Sequence, residues 1–172
     1  MSELATIQRQ LSFFQEKYQY DVSYLEALLG ASKEAFDSFW GNSGMSQFRS
    51  SLPVNAHYTA KIAALQGEDC GACTQLNVRM ALEAGADKEV LRTLLERPEE
   101  LPQELRDIRD HALSITSSQA PDHDRIGRLR EAYGAEGLAE IAIAVTGSRL
   151  WPSMKRALGF DGVCQKVTVD VD

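Results

Sequence analysis

The stretch that organises this chain is residues 67–77, Gly67-Glu68-Asp69-Cys70-Gly71-Ala72-Cys73-Thr74-Gln75-Leu76-Asn77. It holds a Cys-x-x-Cys pair at a point where a loop is expected to become a helix. Asp69 is a suitable N-cap residue, because its carboxylate can accept hydrogen bonds from the free amides of the first turn. Cys70 then falls near the first helical position and Cys73 one turn later. The helix is predicted over residues 69–84, with Gly85 ending it.

The helical periodicity of this segment predicts which side is buried. At about 100° per residue, one face carries mainly small residues: Cys70, Cys73, Thr74, Asn77, Ala81 and Ala84. The opposite face carries Gln75, Arg79 and Glu83 and is expected to meet solvent. Both thiols are therefore expected inside the buried stripe, where a second helix can approach closely.

The position of the pair favours redox chemistry. Side chains at i and i+3 of a helix are neighbours, within the Cα separation that a disulfide needs. The partial positive charge at a helix N-terminus favours the thiolate, which is the form that reacts with disulfides and peroxides. Glu68 and Asp69 oppose this effect, because negative charge beside a thiol raises its pKa. Alternatively, Glu68 is the proton-transfer group that generates the thiolate on demand.

Two interpretations without redox chemistry stay open. A structural zinc site needs four ligands, and the remaining candidates, Cys164, His57, His111 and His123, form no second paired motif. Two inert buried cysteines are the other interpretation, since free cysteine is among the most buried residue types. A thioredoxin-like motif does not fit, because that motif follows a strand and the segment before Cys70 is predicted to be a helix.

Bulk composition excludes several classes of partner. The 172 residues are 44% apolar, enough for one domain with a proper core. The net charge of −7 argues against nucleic acid or an anionic membrane surface as a partner. No apolar run approaches the ~20 residues of a membrane span, and the N-terminus lacks the pattern of a signal peptide. Three cysteines without such a signal fit a reducing, cytoplasmic location.

Apolar residues recurring at steps of three and four predict an all-α chain. Helices are expected over 3–18, 22–30, 32–40, 53–66 and 69–84, after Asp87, after Pro102, from Asp122 to Gly134, and over 135–158. Residues 41–53 form the longest predicted loop, a lid or a connector. Pro152 is expected to kink or split the last helix. The tail, residues 163–172, is predicted to be a short strand or an extended arm.

The run from Cys70-Gly71-Ala72-Cys73 to Ala81-Leu82-Glu83-Ala84-Gly85-Ala86 resembles the alkylhydroperoxidase D-like, or carboxymuconolactone decarboxylase, superfamily. The resemblance covers about residues 50–160 and includes the apolar helix near the end. It implies an alkylhydroperoxidase D-like helical bundle in one domain, with residues 51–160 as the core and 1–50 as an N-terminal helical extension. It also implies assembly into trimers or hexamers.

The resemblance further implies a thiol peroxidase in which one cysteine attacks the hydroperoxide and the other resolves it as a disulfide. A dithiol or dihydrolipoyl carrier would be the reductant, with neither cofactor nor metal. Cys73 is the attacking thiol by resemblance, whereas position at the helix end favours Cys70. The family's histidine is matched by Asn77 and its glutamate falls near Tyr58, so the nearby titratable groups are His57 and Glu68.

The predicted site therefore consists of Cys70, Cys73 and Glu68, with His57 and Asn77 as accessory residues. His57 is also expected as an ordinary surface or interface residue, and Glu68 as a group that only interacts with the helix dipole. Two other functions stay open: a non-enzymatic scaffold or redox sensor of the same fold, and a decarboxylase-like lyase. The cysteine pair counts against the lyase, since that branch does not need it.

Overall fold

The structure is a computed structural model that describes residues 3–160 and 167–170. Its helices are α1 (Glu3–Tyr18), α2 (Ser23–Ala31), α3 (Lys33–Trp40), α4 (Ser43–Gln47), α5 (Val54–Gly67), α6 (Gly71–Glu83), α7 (Lys88–Glu96), α8 (Gln103–Thr116) and α9 (His123–Ala157). A short 3₁₀ helix, Pro98–Glu100, links α7 to α8. Within these ranges no strand occurs, so the all-α prediction is confirmed there, and no described helix is long and apolar enough to cross a membrane.

Several helix ends are set by the residues that the sequence indicates. The Ser32 hydroxyl accepts a hydrogen bond from the amide of Ala35 at the start of α3, and the Asp87 carboxylate accepts from two amides at the start of α7. The Asp122 carboxylate caps α9 in the same way. Gly85 closes α6 with a φ of +83°, a conformation that glycine adopts without steric cost.

The helix α5 is the centre of the fold. Every residue from Ala56 to Leu65 is buried, because α5 packs against α6, α8 and α9 together. Its small residues allow this close approach, while Ile62 is buried in the larger hydrophobic cluster together with Ile108 of α8 and Ile141 of α9. A helix surrounded on all sides needs no amphipathic pattern, and α5 has almost none.

A second hydrophobic cluster joins the N-terminal helices to the start of α6. Leu11 of α1, Tyr24 of α2 and Phe36 of α3 are buried in it together with Cys70 and Cys73. The segment predicted as an N-terminal extension therefore covers the cysteine pair. This placement makes residues 3–40 a wall of the site described below.

The predicted loop 41–53 contains a helix, α4, that the sequence did not indicate. Gly147 of α9 makes room for it: a Cβ added at Gly147 would lie 2.7 Å from the backbone nitrogen of Ser46. Residues 50–52 are then held by the carboxylate of Glu140 on α9. The prediction of a plain loop was wrong because close helix packing and a buried carboxylate, both distant in sequence, order the segment.

In the C-terminal half, the predicted interruptions of the helices are only partly observed. Gly134 has non-helical backbone angles inside α9, as expected for the end of one helix and the start of another. Pro152 was expected to kink or split the helix; the split does not occur, because α9 continues through Pro152 to Ala157. Of the predicted strand or arm over 163–172, residues 161–166 and 171–172 lie outside the described ranges. Residues 167–170 form no strand and lie against α6.

Candidate functional site

The turn before the cysteines is built as the C-terminal cap of α5. The amide of Cys70 donates to the carbonyl of Leu65 (3.1 Å), and that of Asp69 donates to Gln66 (3.0 Å). Asp69 has a φ of +52°, so the pair of bonds is a Schellman motif with Asp69 in the left-handed position. The prediction of Asp69 as N-cap of α6 was wrong. Aspartate suits both places, since it tolerates this backbone conformation better than most residues.

Cys70 takes the N-cap position of α6, and its Sγ accepts from the amide of Cys73 at 3.4 Å. The two cysteines form a disulfide with a Cα–Cα separation of 5.3 Å. Both are buried, Cys70 at 9% and Cys73 at 2% exposure. The predicted stripe is confirmed for Thr74, Asn77 and Ala81, whereas Ala84 at its end is exposed.

The prediction that Gln75 lies on the solvent-facing side of α6 was wrong. Gln75 is only 2% exposed. Its Nε2 donates to the carbonyl of Thr168 (2.9 Å), and the amide of Thr168 donates to its Oε1 (2.7 Å). Residues 167–170 therefore cover this side of α6. Periodicity could not show it, because the covering segment lies about 90 residues away in sequence.

A pocket of about 70 Å³ opens beside the disulfide, between the N-terminal helices and α5, α6 and α9. Such a volume exceeds the roughly 10–15 Å³ that one water needs. Most of its lining is apolar or aromatic: Phe14, Tyr20, Tyr24, Leu25, Trp40, Leu65, Cys73, Leu76, Met80 and Trp151. Cys73 belongs to the lining and Cys70 does not, so Cys73 is the cysteine of the pair that a small molecule in this pocket would meet.

Polar groups without a protein partner line the same pocket. Asn77 donates from Nδ2 to the carbonyl of Cys73 at 3.0 Å, but its buried Oδ1 has no hydrogen-bond partner. The buried Oγ of Ser148 on α9 has none either. Lys61 of α5 is 3% exposed and also lines the pocket. Since buried polar groups are normally hydrogen-bonded, this concentration beside Cys73 makes the pocket the candidate site for a bound molecule.

Lys61 is the charged group of the pocket. Its Nζ lies 5.2 Å from the ring centroid of Tyr58, and no ion pair of Lys61 occurs among the described residues. Burial lowers its pKa to about 8, so the side chain still carries its proton at neutral pH. A cation held in this way attracts negative charge into the pocket.

Tyr20 is the side chain that contacts the sulfur of Cys73, with its hydroxyl 3.6 Å from Sγ. Burial raises the pKa of Tyr20 to about 12, so at neutral pH it is a hydrogen-bond donor and not an anion. Its hydroxyl also lies 3.4 Å from that of Tyr24, and the Nζ of Lys155 sits over both rings, at 4.8 and 5.3 Å. Tyr20 is therefore placed to donate to a Cys73 thiolate.

Glu68 binds to α9 through its carboxylate. Arg149 Nε donates to Oε1 at 2.5 Å, Arg156 donates to Oε2, and the carbonyl of Glu68 accepts from Arg156 at 3.0 Å. Burial raises the pKa of Glu68, but the two arginines outweigh burial, so the pKa is lowered. Glu68 is not a pocket residue. An ionised carboxylate with a lowered pKa and two arginine partners is a poor proton-transfer group.

His57 lies inside the protein, so its expected surface position was wrong. It is 2% exposed, and its ring packs edge-on against Tyr58 with centroids 5.1 Å apart. Burial, together with the positive charges of Lys61 and Arg49, lowers its pKa to about 4. His57 is therefore neutral near pH 7, and it does not line the pocket. Of the predicted residues, the pocket brings together Cys73 and Asn77.

Three residues of the pocket, Lys61, Tyr20 and Ser148, were not among the predicted site residues. A usable signal existed for Lys61, since it is the charged residue within the otherwise apolar run Ala60-Lys61-Ile62-Ala63-Ala64-Leu65. No signal in the sequence connects Tyr20 or Ser148 to the cysteines. No group of metal-ligating residues occurs among the described residues, and Cys164, named above as a candidate zinc ligand, lies outside them.

Comparisons of this chain with protein-family models, with curated proteins and with solved structures find no match. The relation to the alkylhydroperoxidase D-like proteins therefore stays a prediction from the residues quoted above. The chemistry of the site has to be argued from its own geometry.

Proposed function

We propose that this protein is a thiol oxidoreductase that reduces small hydroperoxides through the Cys70–Cys73 couple. The observation that carries the proposal is the position of Cys73, which lines a pocket beside its disulfide partner and beside a phenolic donor, Tyr20. A cysteine pair that served only as a staple would not need a pocket at one of its sulfurs.

The proposed reaction has three steps. The Cys73 thiolate attacks the terminal peroxide oxygen; an S–O bond forms, the O–O bond breaks, and the alkoxide takes up a proton to leave as an alcohol. The Cys70 thiol then attacks the Cys73 sulfenic acid, which forms the disulfide and releases water. An external dithiol supplies two electrons and two protons by thiol–disulfide exchange, which restores the cysteines and leaves the reductant as a disulfide.

The surroundings supply what the thiolate needs. Tyr20 donates a hydrogen bond towards Cys73, and the protonated Lys61 adds positive charge to the pocket. Both favour the thiolate over the thiol. In the disulfide form the amide of Cys73 donates to the Sγ of Cys70, and the same donor at the helix N-terminus would stabilise a Cys70 thiolate after reduction.

Cysteine variants test the proposal and separate the two sulfurs. In a single-turnover assay with pre-reduced protein and tert-butyl hydroperoxide, Cys73→Ser should consume no peroxide. Cys70→Ser should consume one equivalent and accumulate a Cys73 sulfenic acid that dimedone traps. With a dithiol present, both should lose at least about 10³-fold in steady-state turnover, as expected when a nucleophile is removed. Cys164→Ser is the matched control and should turn over normally.

Consumption of peroxide by Cys73→Ser at the wild-type rate would contradict the proposal. A redox sensor is the second candidate, since it would use the same Cys70–Cys73 disulfide. A sensor would be oxidised once per molecule and would show no dithiol-dependent turnover. Assembly into a trimer or hexamer stays a prediction from the resemblance, which light scattering can check against the 19.0 kDa chain.

A further inference from the structure

The pocket beside Cys73 has an unbalanced charge. Lys61 is a cation in its lining, while no Asp or Glu among the described residues lines it. The whole chain carries −7, so this local positive charge does not follow from composition. An enclosed cation attracts an anion more strongly than an exposed one does, because less water screens it.

The cost of burying Lys61 has no compensation from a protein carboxylate. Nearly all of its surface is removed from water, and Tyr58 offers only the face of its ring at 5.2 Å. An ionised group buried without a partner is strongly unfavourable, so such groups are normally paired. A bound anion would supply the missing partner.

The pocket atoms without a hydrogen-bond partner indicate which other groups the ligand would carry. The Ser148 hydroxyl can donate a second hydrogen bond to an anionic oxygen. The Asn77 Oδ1 can only accept, and its amide nitrogen is already bound to the carbonyl of Cys73. It therefore suits an O–H donor next to the sulfur, which a hydroperoxide has. The aromatic walls of the pocket, which include Trp40 and Trp151, suit a short apolar chain between the anionic group and the O–H group of the ligand.

We propose that the pocket binds small organic carboxylates, with Lys61 and Ser148 holding the carboxylate, and that its substrates are hydroperoxides bearing such a group. Carboxylate binding stands on the pocket alone, whereas the hydroperoxide part rests on the proposed function. The two parts are therefore tested by separate measurements.

Binding is measured on the oxidised wild-type protein with butanoate as the probe and butanamide as the neutral control. Both tryptophans of the chain line the pocket, so intrinsic fluorescence reports occupancy directly. We expect butanoate to bind at least about tenfold more tightly than butanamide, the lower end of what a hydrogen bond to a charged group contributes. Equal affinities for the two probes, or no response to butanoate, would overturn the proposal.

Variants locate the carboxylate. Lys61→Met should reduce the preference for butanoate to within about twofold, and Ser148→Ala should reduce it about threefold to tenfold, the effect of one neutral donor. Lys88→Met, an exposed lysine paired with Asp170, is the matched control and should keep the full preference. Circular dichroism confirms that each variant is folded. A Lys61 variant that keeps the full preference would also overturn the proposal, since its charge would then not be the partner.

Turnover separates this inference from the proposed function. A carboxylate-bearing hydroperoxide should show a kcat/KM at least about tenfold higher than its methyl ester, and Lys61→Met should remove the difference. Butanoate binding without any peroxide turnover would support the carboxylate site and reject the peroxidase. Equal turnover of acid and ester would support the peroxidase and reject the carboxylate preference.

Discussion

Two buried polar regions of this protein differ in how fully they are satisfied. Glu140 of α9 is almost completely buried, and both of its carboxylate oxygens accept hydrogen bonds: from the amides of Ser50, Ser51 and Leu52, and from the Ser51 hydroxyl, at 2.7–3.1 Å. In the pocket, Lys61 has no ion pair among the described residues, and the polar oxygens of Asn77 and Ser148 have no partner.

The difference separates a region that serves the fold from the region for which we propose a ligand. A buried carboxylate with a complete set of donors fastens the segment 50–52 to α9 and has no capacity left for a ligand. Partnerless groups instead cost stability in the free protein, and a cost of this kind is expected where binding removes it. Substitutions in the two regions should therefore change the stability of the protein in different directions and by different amounts.

The largest effect is expected at the satisfied region. Glu140→Gln keeps the shape of the side chain but places an amide NH₂ against backbone donors, so the free energy of unfolding should fall by about 3 kcal/mol. Urea denaturation at pH 7 measures it. Glu136→Gln, an exposed glutamate on the same helix, should change stability by less than about 0.5 kcal/mol. If the Glu140 variant were as stable as this control, the conclusion that Glu140 stabilises the packing of residues 50–52 on α9 would be wrong.

The same carboxylate predicts a pH dependence. Burial raises the pKa of Glu140, but the hydrogen bonds from residues 50–52 outweigh burial and lower it from 4.5 to about 2. A lowered pKa in the folded state means that the contribution of Glu140 is complete above pH 4.5 and is lost as the pH falls towards 2. Glu140→Gln should show a correspondingly weaker loss of stability in this window.

A smaller effect of opposite sign is expected in the pocket. Lys61→Met removes a buried charge while keeping an apolar side chain of similar length, so the free energy of unfolding at pH 7 should rise by about 2 kcal/mol. Because the pKa of Lys61 is lowered from 10.5 to about 8 in the folded state, the wild type should gain stability as the pH rises between these values. The advantage of the variant should therefore shrink across this window. Destabilisation by Lys61→Met at pH 7 would show that Lys61 is already satisfied.

The smallest effect is expected at Ser148. Its hydroxyl is buried without a partner, so Ser148→Ala removes an unsatisfied group and leaves only a small void. The thermal midpoint should stay within about 1–2 °C of the wild type. Ser114→Ala is the matched control, because that buried hydroxyl donates to the carbonyl of His111 at 2.8 Å and has a hydrogen bond to lose. A Ser148 variant that is clearly less stable than the Ser114 variant would reverse the comparison.

Local features of the chain could be predicted because their causes are local. Helix positions follow from apolar spacing, and the caps at Ser32 and Asp87 follow from residue type. Cys70 and Cys73 are neighbours because three residues of helix separate them, whatever the rest of the fold does. Asp69 was misassigned because a helix end and a helix start compete for the same residue, and the choice depends on how two helices meet.

What only the tertiary structure decided is which groups have partners. Glu140 finds its donors about 90 residues earlier in the chain, and Gln75 pairs with Thr168 over a similar distance. Lys61 and Ser148 come from different helices and meet in one pocket beside Cys73. The sequence by itself determined where the cysteines stand on their helix, because i to i+3 geometry is local. The surroundings of those cysteines depend on long-range packing, which local periodicity does not encode.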